Sequence, residues 1–129
     1  MDTVTTAAGE SRQTLRFGDA AASIEILVRN GKPLCVPHRA YVRRDQPIKW
    51  HCDGHWTIRF LNKHTPFPGV LSVSGNGREV HYVHEDGTEI SPAPVVTGSA
   101  GERFRYAVAV ADASGVYLDA ACPEIIIDL

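Results

Sequence analysis

The sequence predicts an all-β fold, an antiparallel Greek-key β-sandwich, from three observations. Roughly seven to nine short segments with alternating apolar residues follow one another at about ten-residue spacing. Asn-Gly, Asp-Gly and proline-containing turns separate these segments. No segment has the 3.6-residue period of an amphipathic helix. The pattern leaves the strand order open, because several Greek-key arrangements share it.

Length and composition indicate one domain. The chain has 129 residues, enough to bury about two-thirds of the surface of its unfolded form. Residues 1–11 are small and polar and are predicted to be a disordered tail, which leaves 12–129 as a single sandwich domain. The net charge is −2, with both signs interspersed. This balance argues against nucleic acid or an anionic membrane as a partner, since both usually require a basic surface.

The compartment is predicted from the same features. The N-terminus lacks the basic and apolar regions of a secretory signal, and no apolar run is long enough to span a membrane. The three cysteines are odd in number and widely spaced, as expected for buried free thiols in a reducing compartment. We therefore expect a cytoplasmic protein. A periplasmic protein with a non-native N-terminus would have the same features.

The first third of the chain carries one strong hairpin signal. Ile24, Ile26 and Val28 alternate with polar residues, and Asn30-Gly31 follows them. Both central positions of such a turn require positive φ, which Asn and Gly tolerate. We expect strands at 12–17, at an edge of the sheet, and at 23–29, 33–37 and 41–44.

The segment from Gln46 to Leu61 contains both tryptophans and is predicted to be a core hairpin. Asp53-Gly54 supplies the turn chemistry between its two arms. The alternating apolar residues are Ile48, Trp50 and Cys52 on one arm and Trp56, Ile58 and Phe60 on the other.

A proline-rich loop at 62–69 follows and carries His64 and Phe67. Two prolines and a glycine in this loop prevent regular strand pairing. Phe67 has two alternative interpretations: an exposed aromatic anchor for a partner, or a plug that folds back into the end of the sandwich. Further strands are predicted at 70–74, 79–84, 103–110, 116–118 and 124–129, with a hairpin turn at 75–77.

One set of residues resembles a known family. Ile48-x-Trp50 is followed after four residues by His55-x-Thr-Ile-x-Phe60, and later by Gly115-x-Tyr117 before a cysteine and a final strand. This pattern covers about the last two-thirds of the chain and resembles the cupredoxins. The resemblance implies a cupredoxin-like sandwich, with an immunoglobulin-like sandwich as the alternative fold.

The resemblance implies that His55 takes the position of the first histidine ligand of copper-binding cupredoxins, and that Cys122 takes the position of their cysteine ligand. A blue-copper site also needs a second histidine and usually an axial methionine. No histidine follows Cys122, and Met1 is the only methionine. The Cys-Pro-Glu-Ile-Ile-Ile ending is instead similar to that of small bacterial cupredoxin-like proteins of unknown function, which lack the copper loop.

A metal site of another kind is the alternative. His55 and Cys122, with His51, His81 or His84, would offer a tetrahedral donor set for zinc or copper. Strand geometry argues against part of this set, because strand residues three apart, such as His81 and His84, point to opposite faces. Paired ligand spacings such as Cys-x-x-Cys are also missing.

For catalysis, the sequence offers no recognisable constellation of nucleophile, base and orienting group. We therefore predict a non-catalytic accessory or protein-interaction module without a cofactor. Its expected contacts are a protein partner or a second copy, engaged through open edge strands, with Phe67 and His64 as candidate binding residues.

Overall fold

The structure, a computed structural model, describes residues 14–18, 20–77, 79–90, 93–119 and 123–128. Within these ranges the chain is all-β, as predicted, and its only helical element is a three-residue 3-10 turn at Leu61–Lys63. The predicted disordered tail at 1–11 and the candidate ligand Cys122 lie outside them. The strands are β1 Thr14–Arg16, β2 Ala22–Arg29, β3 Lys32–Val36, β4 Arg39–Val42, β5 Ile48–Phe60, β6 Val70–Gly77, β7 Glu79–His84, β8 Glu89–Ile90, β9 Arg103–Asp112, β10 Gly115–Asp119 and β11 Glu124–Ile127.

The strands form one mixed sheet, so the prediction of a purely antiparallel arrangement is wrong. The main path is β1-β4-β11-β9-β5-β6-β7-β8, while β10 pairs with β9 and the β2–β3 hairpin joins through β5. Three of the pairings are parallel: β1 with β4, β4 with β11, and β2 with β5. One buried cluster takes residues from both the main path and the β2–β3 branch. The sheet therefore encloses a single core, in the manner of a β-sandwich.

The predicted central hairpin is wrong, because Ile48–Phe60 is one thirteen-residue strand. Asp53 and Gly54 form a bulge where its register against β6 shifts between Cys52 and His55. Before the bulge β5 pairs in parallel with β2, and its Cys52 already pairs with Gly77 of β6. After the bulge β5 lies between β6 and β9. A bulge bends a strand and increases its twist. It lets β5 leave one part of the sheet and enter the other while its apolar residues still face one core.

The β9 strand also has two neighbours along one side. Its C-terminal half pairs with β10, and its N-terminal half pairs with β11. All three consecutive isoleucines of β11 are buried, so both faces of this strand are covered. Along its edges the strand pairs with β4 and β9. The predicted terminal strand is therefore an internal strand of the sheet.

The core is built around aromatic rings. Trp50 lies 6.4 Å from Trp56 and 6.0 Å from Tyr106, and its Nε1–H faces the Tyr106 hydroxyl at 3.5 Å. Phe60 contacts Tyr106 at 5.7 Å. Offset and edge-to-face contacts of this kind contribute about 0.5–1.5 kcal/mol each beyond burial. The prediction that both tryptophans are core anchors is confirmed.

Of two predicted hairpin turns, one lies where the sequence predicts it and the other does not. Asn30 and Gly31 have φ values of 53° and 75° and connect β2 to β3, as predicted. The second turn lies later than predicted. Gly75 and Asn76 are still paired with β7, and β6 continues to Gly77.

Gln46, which the sequence analysis did not single out, connects three segments. Its side-chain oxygen accepts a hydrogen bond from the Arg43 amide, and its Nε2 donates to the carbonyls of Gly18 and Ala20. Val96 adds backbone hydrogen bonds to this connection between β4 and β5. Among the described residues, no helix is long and apolar enough to cross a membrane.

Candidate functional site

Two of the predicted metal ligands, His55 and His81, line one groove on the outer surface of the sheet. The register places His55 beside Asn76 of β6, and His81 beside Ser74 of the same strand. The cavity measures about 300 Å³. We call it the polar groove. Its outward side chains are His55, Thr57, Ser74, Asn76, Glu79 and His81.

The ring nitrogens of His81 are already engaged by carboxylates. Nδ1 lies 2.7 Å from Glu89 Oε2, and Nε2 lies 3.9 Å from Glu79 Oε1. The hydrogen bond with Glu89 raises the pKa of His81, and the negative charges of Glu89 and Glu79 add to this effect. A raised pKa favours the imidazolium, which has no lone pair for a metal.

The other predicted ligands lie elsewhere. His51 is held 2.7 Å from Glu25 on β2, in the half of β5 that precedes the bulge. His84 lies at the end of β7, against Gly69, where a Cβ would come within 2.8 Å of its Nδ1. The described ranges contain no group of three histidine, cysteine or carboxylate side chains arranged to hold a metal ion. The structure does not describe Cys122, so its proposed role stays a prediction.

Cys35 and Cys52 are buried free thiols, as predicted, with exposures of 1% and 4%. Burial raises the pKa of Cys52, and the nearby carboxylates, Asp53 first among them, raise it further. The thiol therefore stays protonated at neutral pH and behaves as a small apolar side chain.

Phe67 is completely buried, so the plug interpretation is right and the exposed-anchor interpretation is wrong. Its ring contacts Trp50, Phe60 and Tyr82 at centroid distances of 6.3, 6.0 and 5.5 Å. His64, the second candidate binding residue, is half exposed, stacks on Phe104 at 4.6 Å and pairs with Glu102 at 3.0 Å. All of these contacts lie within the chain, and they account for the positions of both Phe67 and His64.

A second cavity of about 430 Å³ lies beside the N-terminal half of β5. Trp50, Val80 and Tyr82 line its apolar part, and Lys49 and His51 lie at its polar part. The Tyr82 hydroxyl donates to the Ile48 carbonyl at 2.7 Å, and burial raises the pKa of Tyr82 to about 12. Trp50 and Tyr82 are themselves only 1% and 5% exposed. This cavity therefore lies directly against the core residues Trp50 and Tyr82.

The largest exposed apolar feature was missed by the sequence analysis. Among the described residues, three large apolar side chains are exposed, and two of them, Val116 and Leu118, are 70% exposed on one face of β10. On that face the register places Ala111 and Ala109 of β9 beside them, followed by His55 and Thr57 of β5. We call these six residues the exposed sheet face. The sequence shows that Val116 and Leu118 share one face of their strand. It does not show that this face is exposed, because that depends on how β10 pairs with β9.

β10 forms an edge of the sheet. It pairs with β9 alone among the described strands and lies beside β3 without pairing to it. Natural edge strands are usually protected by lysine, proline or very short length. β3 contains Lys32 and Pro33, and β8 has two residues. By contrast, β10 is five residues long and contains no lysine or proline.

Comparisons with protein-family models, with curated proteins and with solved structures found no match.

Proposed function

We propose that this chain is a non-catalytic interaction module with a cupredoxin-like Greek-key sandwich, and that it binds a protein through the exposed sheet face. The observation that carries the proposal is the pair Val116 and Leu118, exposed side by side on an edge strand. Burying an apolar side chain of this size contributes about 1.5–3 kcal/mol. Folding does not gain this free energy, because both side chains stay exposed, but binding a partner that covers them would gain it.

The assignment to the cupredoxin-like type rests on the sequence resemblance. It is supported by the apolar Ile48-x-Trp50 segment, which lies in the core just before His55, and by the order of β10 and the terminal strand. The missing histidine and methionine after Cys122 favour a role without blue copper.

Site-specific crosslinking tests the binding surface. A photoreactive amino acid at position 116 should give a defined covalent adduct in cells, and Leu118→Lys should abolish that adduct. The matched control is position 95, because Val95 is also exposed but lies beside the β4–β5 connection, where Val96 pairs with Gln46. An adduct from position 95 and none from position 116 would contradict the proposal.

A metal-binding function remains the second candidate, because His55 and His81 line one groove and Cys122 is a third donor by sequence. Native mass spectrometry with one equivalent of zinc or copper(I), under reducing conditions, tests it. A stoichiometric adduct that His55→Ala or Cys122→Ser removes would support a metal site. A chain that takes up no metal, or an adduct that both substitutions leave intact, would contradict this site.

A further inference from the structure

Two neighbouring rows of side chains cross the outer surface of the sheet from β10 to β7. Each row follows from the pairing of β10 with β9, β9 with β5, β5 with β6, and β6 with β7. The first row is Val116, Ala111, His55, Asn76 and Glu79, and the second is Leu118, Ala109, Thr57, Ser74 and His81.

The two rows are complementary position by position. At one end both rows carry an exposed branched apolar side chain, Val116 or Leu118. At the other end one row carries Glu79 and the other carries His81, which within one copy lies 2.7 Å from Glu89 and 3.9 Å from Glu79. A two-fold axis that runs parallel to the sheet above its outer surface, between the rows and perpendicular to the strands, would place the first row of one copy opposite the second row of the other.

The same axis pairs opposite charges beyond the rows. On β5, Arg59 follows Thr57 by two residues and Asp53 precedes His55 by two within the bulge, so the axis brings Asp53 of one copy near Arg59 of the other. The Asp53 side chain is 99% exposed, and its Oδ1 lies 3.7 Å from His51 Nε2 of its own copy. Arg59 is exposed and makes no ion pair within the part of the chain that the structure describes. In a two-fold pair, Asp53 of each copy would face Arg59 of the other.

Small side chains at the centre permit a close approach. Ala109 and Ala111 lie between the apolar residues of β10 and the polar residues of β5. Stacked sheets pack about 10 Å apart, with side chains filling the space between them. Alanines here let Val116 and Leu118 of both copies meet without being held apart by neighbouring bulk.

We propose that the partner of the exposed sheet face is a second copy of this chain, in a face-to-face dimer about this two-fold axis. The inference rests on the proposed function and specifies its partner. In such an isologous interface each contact occurs twice. Val116 meets Leu118 of the second copy, Asp53 lies near Arg59, and Glu79 lies opposite His81, which is also held by Glu89 of its own copy.

Sedimentation velocity on the full chain, over about 1 µM to 1 mM, tests the apolar contact. The wild-type protein should show a concentration-dependent monomer–dimer equilibrium. Replacing Val116 and Leu118 together with lysine should raise the dissociation constant by about 30-fold or more, as expected for central apolar contacts. Val95→Lys should leave it unchanged. A wild-type protein that stays monomeric over this range would overturn the inference.

A charge swap tests the orientation of the two copies. Arg59→Glu alone places like charges opposite Asp53 and should weaken the dimer by about tenfold, as should Asp53→Arg alone. The double variant carries both changes in each chain and should return to within about threefold of the wild-type dissociation constant. Arg105→Glu is the matched control, because Arg105 is also exposed but lies two residues beyond Ala107, the strand partner of Arg59, and therefore further from the axis. Additive weakening in the double variant would overturn this orientation.

The crosslink from position 116 separates this inference from the proposed function. An adduct of twice the chain mass supports both. An adduct with a different protein, together with a monomeric purified chain, overturns the two-fold dimer and leaves the binding surface in place. No adduct from position 116, with unchanged sedimentation of the lysine variant, overturns both.

Discussion

Phe67 faces inward because its loop is held by backbone contacts on both sides. Its amide donates to Thr65 Oγ1 at 3.1 Å, and its carbonyl accepts from the Val70 amide at 2.8 Å. The flanking prolines fix φ on each side and reduce the conformations open to the loop. With the backbone held, the ring enters the gap between Trp50, Phe60 and Tyr82.

We expect Phe67→Ala to lower the free energy of unfolding by about 3–5 kcal/mol, because it leaves a cavity among rings that cannot collapse easily. Denaturant unfolding followed by tryptophan fluorescence measures the change. Phe67→Leu should cost about 1.5 kcal/mol, since it keeps most of the volume. Val95→Ala, at an exposed site, should stay within about 0.5 kcal/mol. A cost for Phe67→Ala as small as this control would mean that the ring does not plug the core.

Tyr82 is the second residue whose chemistry follows from burial. Its hydroxyl satisfies the carbonyl of Ile48, which is fully buried. Tyr82→Phe removes the donor and should cost about 1–3 kcal/mol, the penalty for an unsatisfied buried polar group. Equilibrium unfolding at neutral pH measures it. A neutral result would show that the carbonyl finds another donor.

The same tyrosine gives a pH dependence. Its folded pKa of about 12 lies above the usual value of about 10. The folded state therefore favours the neutral phenol. Its contribution to stability is complete below about pH 10 and is lost as the pH rises towards about 12. Tyrosinate absorbance in wild-type protein and Tyr82→Phe should differ by one late-titrating group. An equal number of late-titrating tyrosines in both would contradict the assignment.

At the scale of elements, local turn chemistry predicted one hairpin correctly and another wrongly. Asn30-Gly31 makes a turn because β2 and β3 pair directly across it. Asp53-Gly54 has similar chemistry, but the residues on its two sides do not pair with each other. They pair with β2 before it, with β9 after it, and with β6 on both sides. Long-range pairing overrides the local preference. A single sequence shows the alternation of β5 but not its partners.

The β6–β7 pair depends on Gly75 because the backbone of β7 lies very close. A Cβ at Gly75 would lie 2.0 Å from the Glu79 carbonyl oxygen and 2.7 Å from the Trp56 ring. Gly75→Ala should therefore lower the free energy of unfolding by about 3 kcal/mol, because neither neighbour is free to move away. Thermal and denaturant unfolding would both show the loss.

Gly54→Ala is the matched control for Gly75→Ala. A Cβ at Gly54 would meet only the Ala111 carbonyl oxygen, at 3.4 Å. We expect a change of about 0.5 kcal/mol or less. Equal costs at both glycines would contradict the close approach of β7 at Gly75. A large cost at Gly54 alone would mean that the bulge in β5 needs glycine.

At the scale of the molecule, the core was predictable and the surface was not. Alternation identified Trp50, Trp56, Ile58 and Phe60 as core residues, and all four are buried. The grouping of His55 with His81 depends on the register of β5, β6 and β7, which no short segment encodes. The exposed sheet face likewise depends on β10 pairing with β9. Surface sites on a sheet are set by register, whereas burial is set by local pattern.

The reactivity of the two described thiols measures how often the core opens. Cys35 lies on β3 and Cys52 on β5, and both belong to the one buried core cluster. In a Cys122→Ser background, we expect iodoacetamide to modify both thiols slowly and at the same rate, because each becomes accessible only when the core opens. Mass spectrometry after proteolysis would resolve the two sites.

Phe67→Ala extends this thiol test, because the Phe67 ring contacts the core through Trp50, Phe60 and Tyr82. Where modification follows the equilibrium population of the open state, a loss of about 3 kcal/mol should speed it by about 150-fold. Both thiols should accelerate equally. If Cys52 reacts much faster than Cys35, the bulge at Asp53 and Gly54 opens by itself, and the two parts of the sheet that β5 joins are not one cooperative unit. Equal rates would make the core a single unit, with β5 as the strand that holds it together.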